Sequence, residues 1–259
     1  MMQTAVCLLA VVPMRKEPAH RSEMVSQVLM GEYVQLGEEK DDFVAVKSLY
    51  DGYEGWILAN QLTPVAAEQV YQTSKYISGF SEEVLIDWRC RMAPLATPIY
   101  QPHSDKEYIE LGKHHVIYNV EKDEIWDTEG KQVSEENLKE VTDMYLDTPY
   151  LWGGRSVYGI DCSGFVQQVF KFFGIKLQRD ACLQAEQGTL VNGVEAAMLG
   201  DLAFFQNEKG RIIHVGIVLN NNEIVHASGR VRIDTLDAEG IINKETGKRS
   251  HIIHSFRRV

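Results

Sequence analysis

The run Thr148-Pro149-Tyr150-Leu151-Trp152-Gly153-Gly154, followed by Asp161-Cys162-Ser163-Gly164-Phe165-Val166, most limits what this chain can fold into. Pro and Gly punctuate the first part, which predicts an irregular loop. Phe165, Val166, Val169, Phe170 and Phe173 then recur at helical spacing until Gly174 stops the pattern, so Cys162 is expected at a helix N-terminus. Backbone N–H groups and the positive end of the helix dipole favour a thiolate there, which makes Cys162 a candidate nucleophile.

A nucleophilic cysteine needs a base. Two histidines lie in strand-like runs downstream, Ile212-Ile213-His214-Val215-Gly216-Ile217-Val218-Leu219 and Glu223-Ile224-Val225-His226-Ala227. Asn220-Asn221-Asn222 between them has turn chemistry, so the runs read as a β-hairpin able to place both imidazoles on one side of a sheet.

Together, Tyr150-Leu151-Trp152-Gly153-Gly154, Asp161-Cys162-Ser163-Gly164-Phe165, His214-Val215-Gly216-Ile217 and His226-Ala227-Ser228-Gly229 resemble the NlpC-type peptidases, papain-like cysteine peptidases of bacterial cell-wall peptides. The motifs occur in order over roughly the last half of the chain. The resemblance implies Cys162 as nucleophile, His214 as general base and later acid, and His226 as the polar residue that orients the base. Tyr150 matches a family tyrosine beside the cysteine.

The remaining sequence is compatible with an enzyme carrying accessory domains. A length of 259 residues exceeds one typical domain, and 44% hydrophobic content supplies real cores. A net charge of −11 argues against nucleic acid or an anionic membrane as partner, since both demand basic surfaces. Cys7, Cys90, Cys162 and Cys182 form no CxxC pair or zinc-type spacing, so neither metal nor cofactor is expected. Cys182 reads as a small buried residue. The apolar run Ala5 to Val12 lacks the basic start and small-residue cleavage site of an export signal and reads as a buried strand; the expected location is cytoplasmic, with a trimmed export signal as the open alternative.

Short strand-like runs separated by turn residues fill residues 1–65, ending in Asp51-Gly52-Tyr53-Glu54-Gly55-Trp56-Ile57, which resembles a bacterial SH3-like domain. Residues 66–132 repeat the scheme faintly: a linker or short helix over Ala66 to Phe80, then strands at Val84 to Asp87, Ala96 to Tyr100, Tyr108 to Leu111 and His115 to Tyr118. The pair His114-His115 should point to opposite faces of a strand and so hold no metal. From Ser134, a capping-box-like start with Leu138, Val141, Met144 and Tyr145 on one face opens the catalytic domain, 133–259. The expected fold class is α+β: a papain-like catalytic domain of helices on an antiparallel sheet, preceded by two small all-β SH3-like barrels.

Substrate choice rests on resemblance. Relatives with an N-terminal SH3-like domain and a cytoplasmic location are γ-D-glutamyl-L-diamino acid endopeptidases, which release L-Ala-γ-D-Glu from recycled murein peptides with a free N-terminus. That likeness implies Asp180, Glu23 and Tyr53 as readers of the ammonium, and Asp161 and Ser163 as contacts for the D-Glu portion. Ala181 stands where related chains often have serine. A related Cys-His amide hydrolase or acyltransferase, or a wall-binding module, stays open as an alternative.

Overall fold

The computed structural model describes residues 3–80, 82–102, 106–220 and 222–259. The chain divides into two compact units, Met1–Glu129 and Gly130–Val259. Asn221 of the expected hairpin turn lies outside the described residues.

The first unit is all-β, with a seven-stranded antiparallel sheet in the order β3-β2-β6-β5-β4-β1-β7. The strands are β1 (Thr4–Val6), β2 (Val11–Arg15), β3 (Met24–Leu29), β4 (Tyr33–Lys40), β5 (Phe43–Ser48), β6 (Glu54–Leu58) and β7 (Thr63–Val65). Inward-pointing residues build a core from Val12, Met14, Val28, Val34, Val44, Val46 and Ile57. The Gly55-Trp56 pair has a steric cause: a Cβ on Gly55 would sit 2.5 Å from Met14 Cγ and 2.9 Å from the Arg15 carbonyl oxygen, so only glycine lets β2 lie against β6. The apolar run Ala5 to Val12 is two strands, not one. The Cys7 N–H donates to the Glu32 carbonyl at 3.0 Å and the Met30 N–H to the Ala10 carbonyl at 3.1 Å, which turns the chain between β1 and β2.

A second sheet in the order β10-β9-β12-β11 is built from β9 (Glu82–Ile86), β10 (Arg89–Ala93), β11 (Ile109–Leu111) and β12 (His114–Asn119). Beside it, β8 (Lys75–Ile77) pairs with β13 (Ile125–Asp127). Two sequence expectations change here. Ala96 to Tyr100 is not a strand, because Ala96 sits at φ +66° and only Pro98 bridges to Tyr76. The strand β10 carries little local signal because Arg89 to Met92 are exposed and none is β-branched or aromatic; Asp87 and Trp88, both at positive φ, turn it back on β9. His114 and His115 part as expected. Nδ1 of His114 is 2.6 Å from Asp87 Oδ2, while the His115 ring packs 4.4 Å from that of Tyr108.

The two β segments share a core. Val6, Met30 and Tyr33 pack with Ile77, Val84, Ile99, Leu111 and Val116. The buried Tyr100 hydroxyl donates to the Gly31 carbonyl at 2.9 Å, and the Tyr33 hydroxyl to the Gln69 carbonyl at 2.8 Å.

The second unit begins with α1 (Glu135–Asp143), capped by Ser134, whose hydroxyl accepts from the Asn137 N–H. A two-strand ribbon, β14 (Arg155–Ser156) and β15 (Gly159–Ile160), leads into α2 (Cys162–Lys171), every residue of which is buried; α3 (Ala181–Gln184) is one short turn. The sheet holds β16 (Thr189–Val191), β17 (Leu202–Gln206), β18 (Ile212–Asn220), β19 (Glu223–Ser228), β20 (Arg230–Asp237), β21 (Gly240–Ile242) and β22 (Arg249–Arg258). Its order is β16-β22-β17-β18-β19-β20-β21, and a further β21–β22 pairing closes it around Ala203, Phe205, Val218, Ile224, Leu236, Ile241 and Phe256. α2 packs on β18 and β19, the two strands that carry the histidines.

Replacing Tyr100 with Phe removes the donor to the Gly31 carbonyl and strands a buried acceptor. Chemical denaturation should show the first unit destabilised by about 1–3 kcal/mol; an unchanged midpoint would mean that this bond does not join the two β segments.

Candidate active site

Local chemistry places Cys162. Asp161 caps α2 by accepting the Gly164 N–H at 2.7 Å, and its other oxygen accepts the Gly153 N–H at 2.9 Å. One carboxylate therefore ties the Gly-Gly loop to the helix start. Gly164 is required by that closeness: a Cβ there would lie 2.3 Å from the Gly154 carbonyl oxygen. The Arg179 guanidinium grips Asp161 bidentately, at 3.0 and 2.5 Å, and donates to the Ser163 hydroxyl at 2.9 Å, all in a buried setting. Asp161 and Ser163 are thus heavily engaged within the protein.

The histidines meet across the hairpin. In the β18–β19 register Gly216 faces His226, so His214, two residues back along β18, shares its face. His214 Nε2 lies 2.8 Å from His226 Nδ1, and His226 Nε2 lies 3.1 Å from Asp234 Oδ2. The only ring nitrogen of His214 left for the thiol is Nδ1. Cys162 adjoins this pair, since its sulfur accepts from the backbone N–H of Val215, the next residue. Tyr150 stands half-buried beside it, its hydroxyl pushed up by burial and by the neighbouring Cys162 and Asp161.

The electrostatics differ from the helix-dipole expectation. Burial raises the Cys162 thiol to about 12, with Asp161 adding to the shift, and the N–H groups of Val215 and Ser163 only partly oppose it. Burial, then His226 and His251, drives His214 well below its usual value. Desolvation of both groups opposes the helix start and favours the uncharged pair, thiol and neutral imidazole.

Asp234 and His251 escaped the sequence reading. Asp234 follows Arg232 with strand periodicity, and Arg232 faces His226 directly across β19 and β20. That alternation is the sequence signal that points to Asp234. His251 stacks on His214, centroids 4.1 Å apart and planes at 22°; nothing local in the sequence signals it, because β22 reaches this place by pairing with β17 and β21. His214, His226 and His251 offer nitrogens within 4.8 Å of one another, but both nitrogens of His226 are engaged, Nδ1 with His214 and Nε2 with Asp234, so a cation on His226 would displace one of these two hydrogen bonds.

The other sequence candidates lie on different elements. Asp180 is half-buried at the N-cap position of α3. Cys182 is exposed rather than buried, because α3 is a surface turn whose only buried residue is Gln184. Glu23 and Tyr53 belong to the first unit: Glu23 is exposed and pairs with Lys16 at 3.5 Å, and Tyr53 packs partly buried on the Val12 core.

Residues 147–250 match the NlpC/P60 family, and residues 14–62 match the bacterial dipeptidyl-peptidase SH3 domain. The chain is 26% identical over 264 residues to a Bacillus cereus protein named gamma-D-glutamyl-L-lysine dipeptidyl-peptidase, covering 89% of this chain and 76% of that one. It is 24% identical to the dipeptidyl-peptidase 6 of Lysinibacillus sphaericus, covering 91% and 92%, and 34% identical to a Haemophilus influenzae protein named probable endopeptidase NlpC homolog, covering 57% and 82%. The crystal structure of an NlpC/P60 family protein from Bacillus cereus shares the fold with a TM-score of 0.82 at 20% identity, covering 98% of this chain and 99% of that one.

Two outcomes check this site. Alkylation of Cys162 by iodoacetamide, followed by peptide mass spectrometry to separate it from exposed Cys90 and Cys182, should rise with pH through 9 without a plateau near neutrality; a plateau below pH 7 would mean a preformed thiolate–imidazolium pair. Arg179→Met should leave the Asp161 carboxylate buried and unpaired, costing about 3–5 kcal/mol by urea denaturation of the second unit.

Proposed function

Because the chain belongs to the NlpC/P60 family of cysteine peptidases, we propose that it hydrolyses the amide between γ-D-Glu and a diamino acid in murein peptides that carry a free N-terminal L-Ala, as a step in cell-wall peptide recycling. The observation that carries this reading is the hydrogen-bonded pair His214 and His226 beside Cys162, in a chain similar over most of its length to a protein named gamma-D-glutamyl-L-lysine dipeptidyl-peptidase. The geometry supports the following roles. As the Cys162 sulfur attacks the carbonyl carbon, its proton passes to Nδ1 of His214, so charge develops only when substrate is engaged. Backbone N–H groups at the start of α2 hold the oxyanion. The imidazolium then protonates the departing amine, and water, activated by the same ring, hydrolyses the thioester. His226 keeps the His214 ring in its plane through the 2.8 Å bond.

Tyr150 would bound the substrate cleft beside the nucleophile. Asp161 and Ser163 serve the D-Glu portion through the loop they hold in place, since their own polar atoms are committed to Gly153, Gly164 and Arg179. Asp180, Glu23 and Tyr53 are the residues assigned to the N-terminal ammonium. The 66–132 segment is read as a second SH3-like module.

Incubation with L-Ala-γ-D-Glu-L-Lys or its diaminopimelate counterpart should release L-Ala-γ-D-Glu by mass spectrometry, while an N-acetylated copy stays intact and Cys162→Ala loses activity by more than about a thousandfold. Equal cleavage of both copies would keep the peptidase and remove ammonium recognition. Cleavage of neither would overturn the proposed substrate.

A further inference from the structure

The His214–His226 pair works only in one arrangement of protons, and neither histidine can choose it alone. A neutral imidazole carries one N–H and one lone pair. If His226 bore its proton on Nδ1, it would donate to Nε2 of His214, and His214 would then carry its own proton on Nδ1. A base protonated on the nitrogen facing the thiol accepts nothing. Some group beyond His226 must therefore select the tautomer.

We propose that Asp234 is that positioning residue: its carboxylate, accepting from Nε2 of His226, holds His226 in the Nε2–H form and so leaves the lone pair of His214 on Nδ1, toward Cys162. This rests on the reading of His214 as general base. The protons then align in one direction. Asp234 accepts from His226 Nε2–H, His226 Nδ1 accepts from His214 Nε2–H, and His214 Nδ1 is open. On acylation the thiol proton moves to Nδ1, both relay hydrogen bonds keep their direction, and Asp234 stays ionised throughout.

The surroundings of Asp234 are built for a fixed, charged carboxylate. It is 1% exposed, and His226 is fully buried. Oδ1 accepts the Lys244 backbone N–H at 2.9 Å and an Arg232 terminal amine at 3.1 Å. Oδ2 lies 3.0 Å from Arg232 Nε in addition to His226. Burial pushes this carboxyl up, but the bonds from His226, Lys244 and Arg232 bring it down to about 2. Arg232 is itself steadied by Glu245 at 3.1 Å.

The same donors make Asp234→Asn a directed test. An amide nitrogen in the Oδ1 place would confront two donors, Lys244 N–H and Arg232. In the Oδ2 place it would confront only Arg232 Nε and can donate to His226, provided that His226 gives up its Nε2 proton. The isosteric change should therefore reverse both tautomers.

The experiment pairs ¹⁵N imidazole NMR on the full chain with kinetics on the tripeptide. Wild type should show His226 and His214 both protonated on Nε2; protonation of His226 on Nδ1 overturns the inference, and this readout needs neither substrate nor variant. In Asp234→Asn both protons should move to Nδ1 and kcat should fall about a hundredfold or more, with KM changed less than about threefold. In a His226→Asn background, where residue 226 has no tautomer to fix, the added cost of Asp234→Asn should shrink to within about threefold. Unchanged tautomers and kcat in a folded Asp234→Asn protein, or full additivity in the cycle, would also overturn it. Should the tripeptide not be cut by wild type, the NMR result still decides on Asp234 and only the proposed substrate falls.

Discussion

The Asp161 carboxylate collects donors from three directions, the Gly153 loop, the Gly164 N–H of α2 and the Arg179 guanidinium, all in a setting nearly closed to water. Leaving any one of them unpaired would strand a charge or an amide in the interior, so the loop, the helix start and the segment before α3 can be satisfied only together. That joint requirement fixes Cys162, the residue after Asp161, at the start of α2. The glycine at 164 belongs to the same constraint, because the loop carbonyl of Gly154 occupies the space where a side chain would begin.

The base is fixed by a second, independent device. The β18–β19 register puts His214 and His226 on one face, and α2 packs on those strands, so nucleophile and base approach each other through sheet and helix rather than through a flexible loop. The shared burial has a chemical consequence. Both groups lose their hydration, and the charged pair loses more than the neutral pair, so burial favours the uncharged thiol and imidazole against the helix dipole.

Much of this could be read along the chain because it depends on short sequence spacing. The loop before Cys162, the helix that Gly174 stops, the Ser134 cap of α1 and the His214–His226 hairpin each arise from one short stretch of chain, where backbone geometry allows few choices. Local pattern failed where strands were short or interrupted. The Ala5 to Val12 run looked continuous because all its residues are apolar, yet hydrogen bonds from the distant β3–β4 turn break it; Ala96 to Tyr100 looked extended, yet it turns at Ala96.

Sequence alone determined the kind of chemistry, that of a cysteine peptidase, and the order of the residues proposed to carry it, since Cys162, His214 and His226 stand in local motifs. Tertiary structure alone decided which charges sit beside them. Asp234 reaches His226 across a strand pair, Arg179 reaches Asp161 from beyond the end of α2, and His251 reaches His214 from the last strand of a sheet that closes on itself. Burial follows from the same packing, and it opposes the protonation that the helix start by itself would have favoured. Desolvation and charge pairing act through space, and a chain read one residue at a time carries spacing but no record of what surrounds each group.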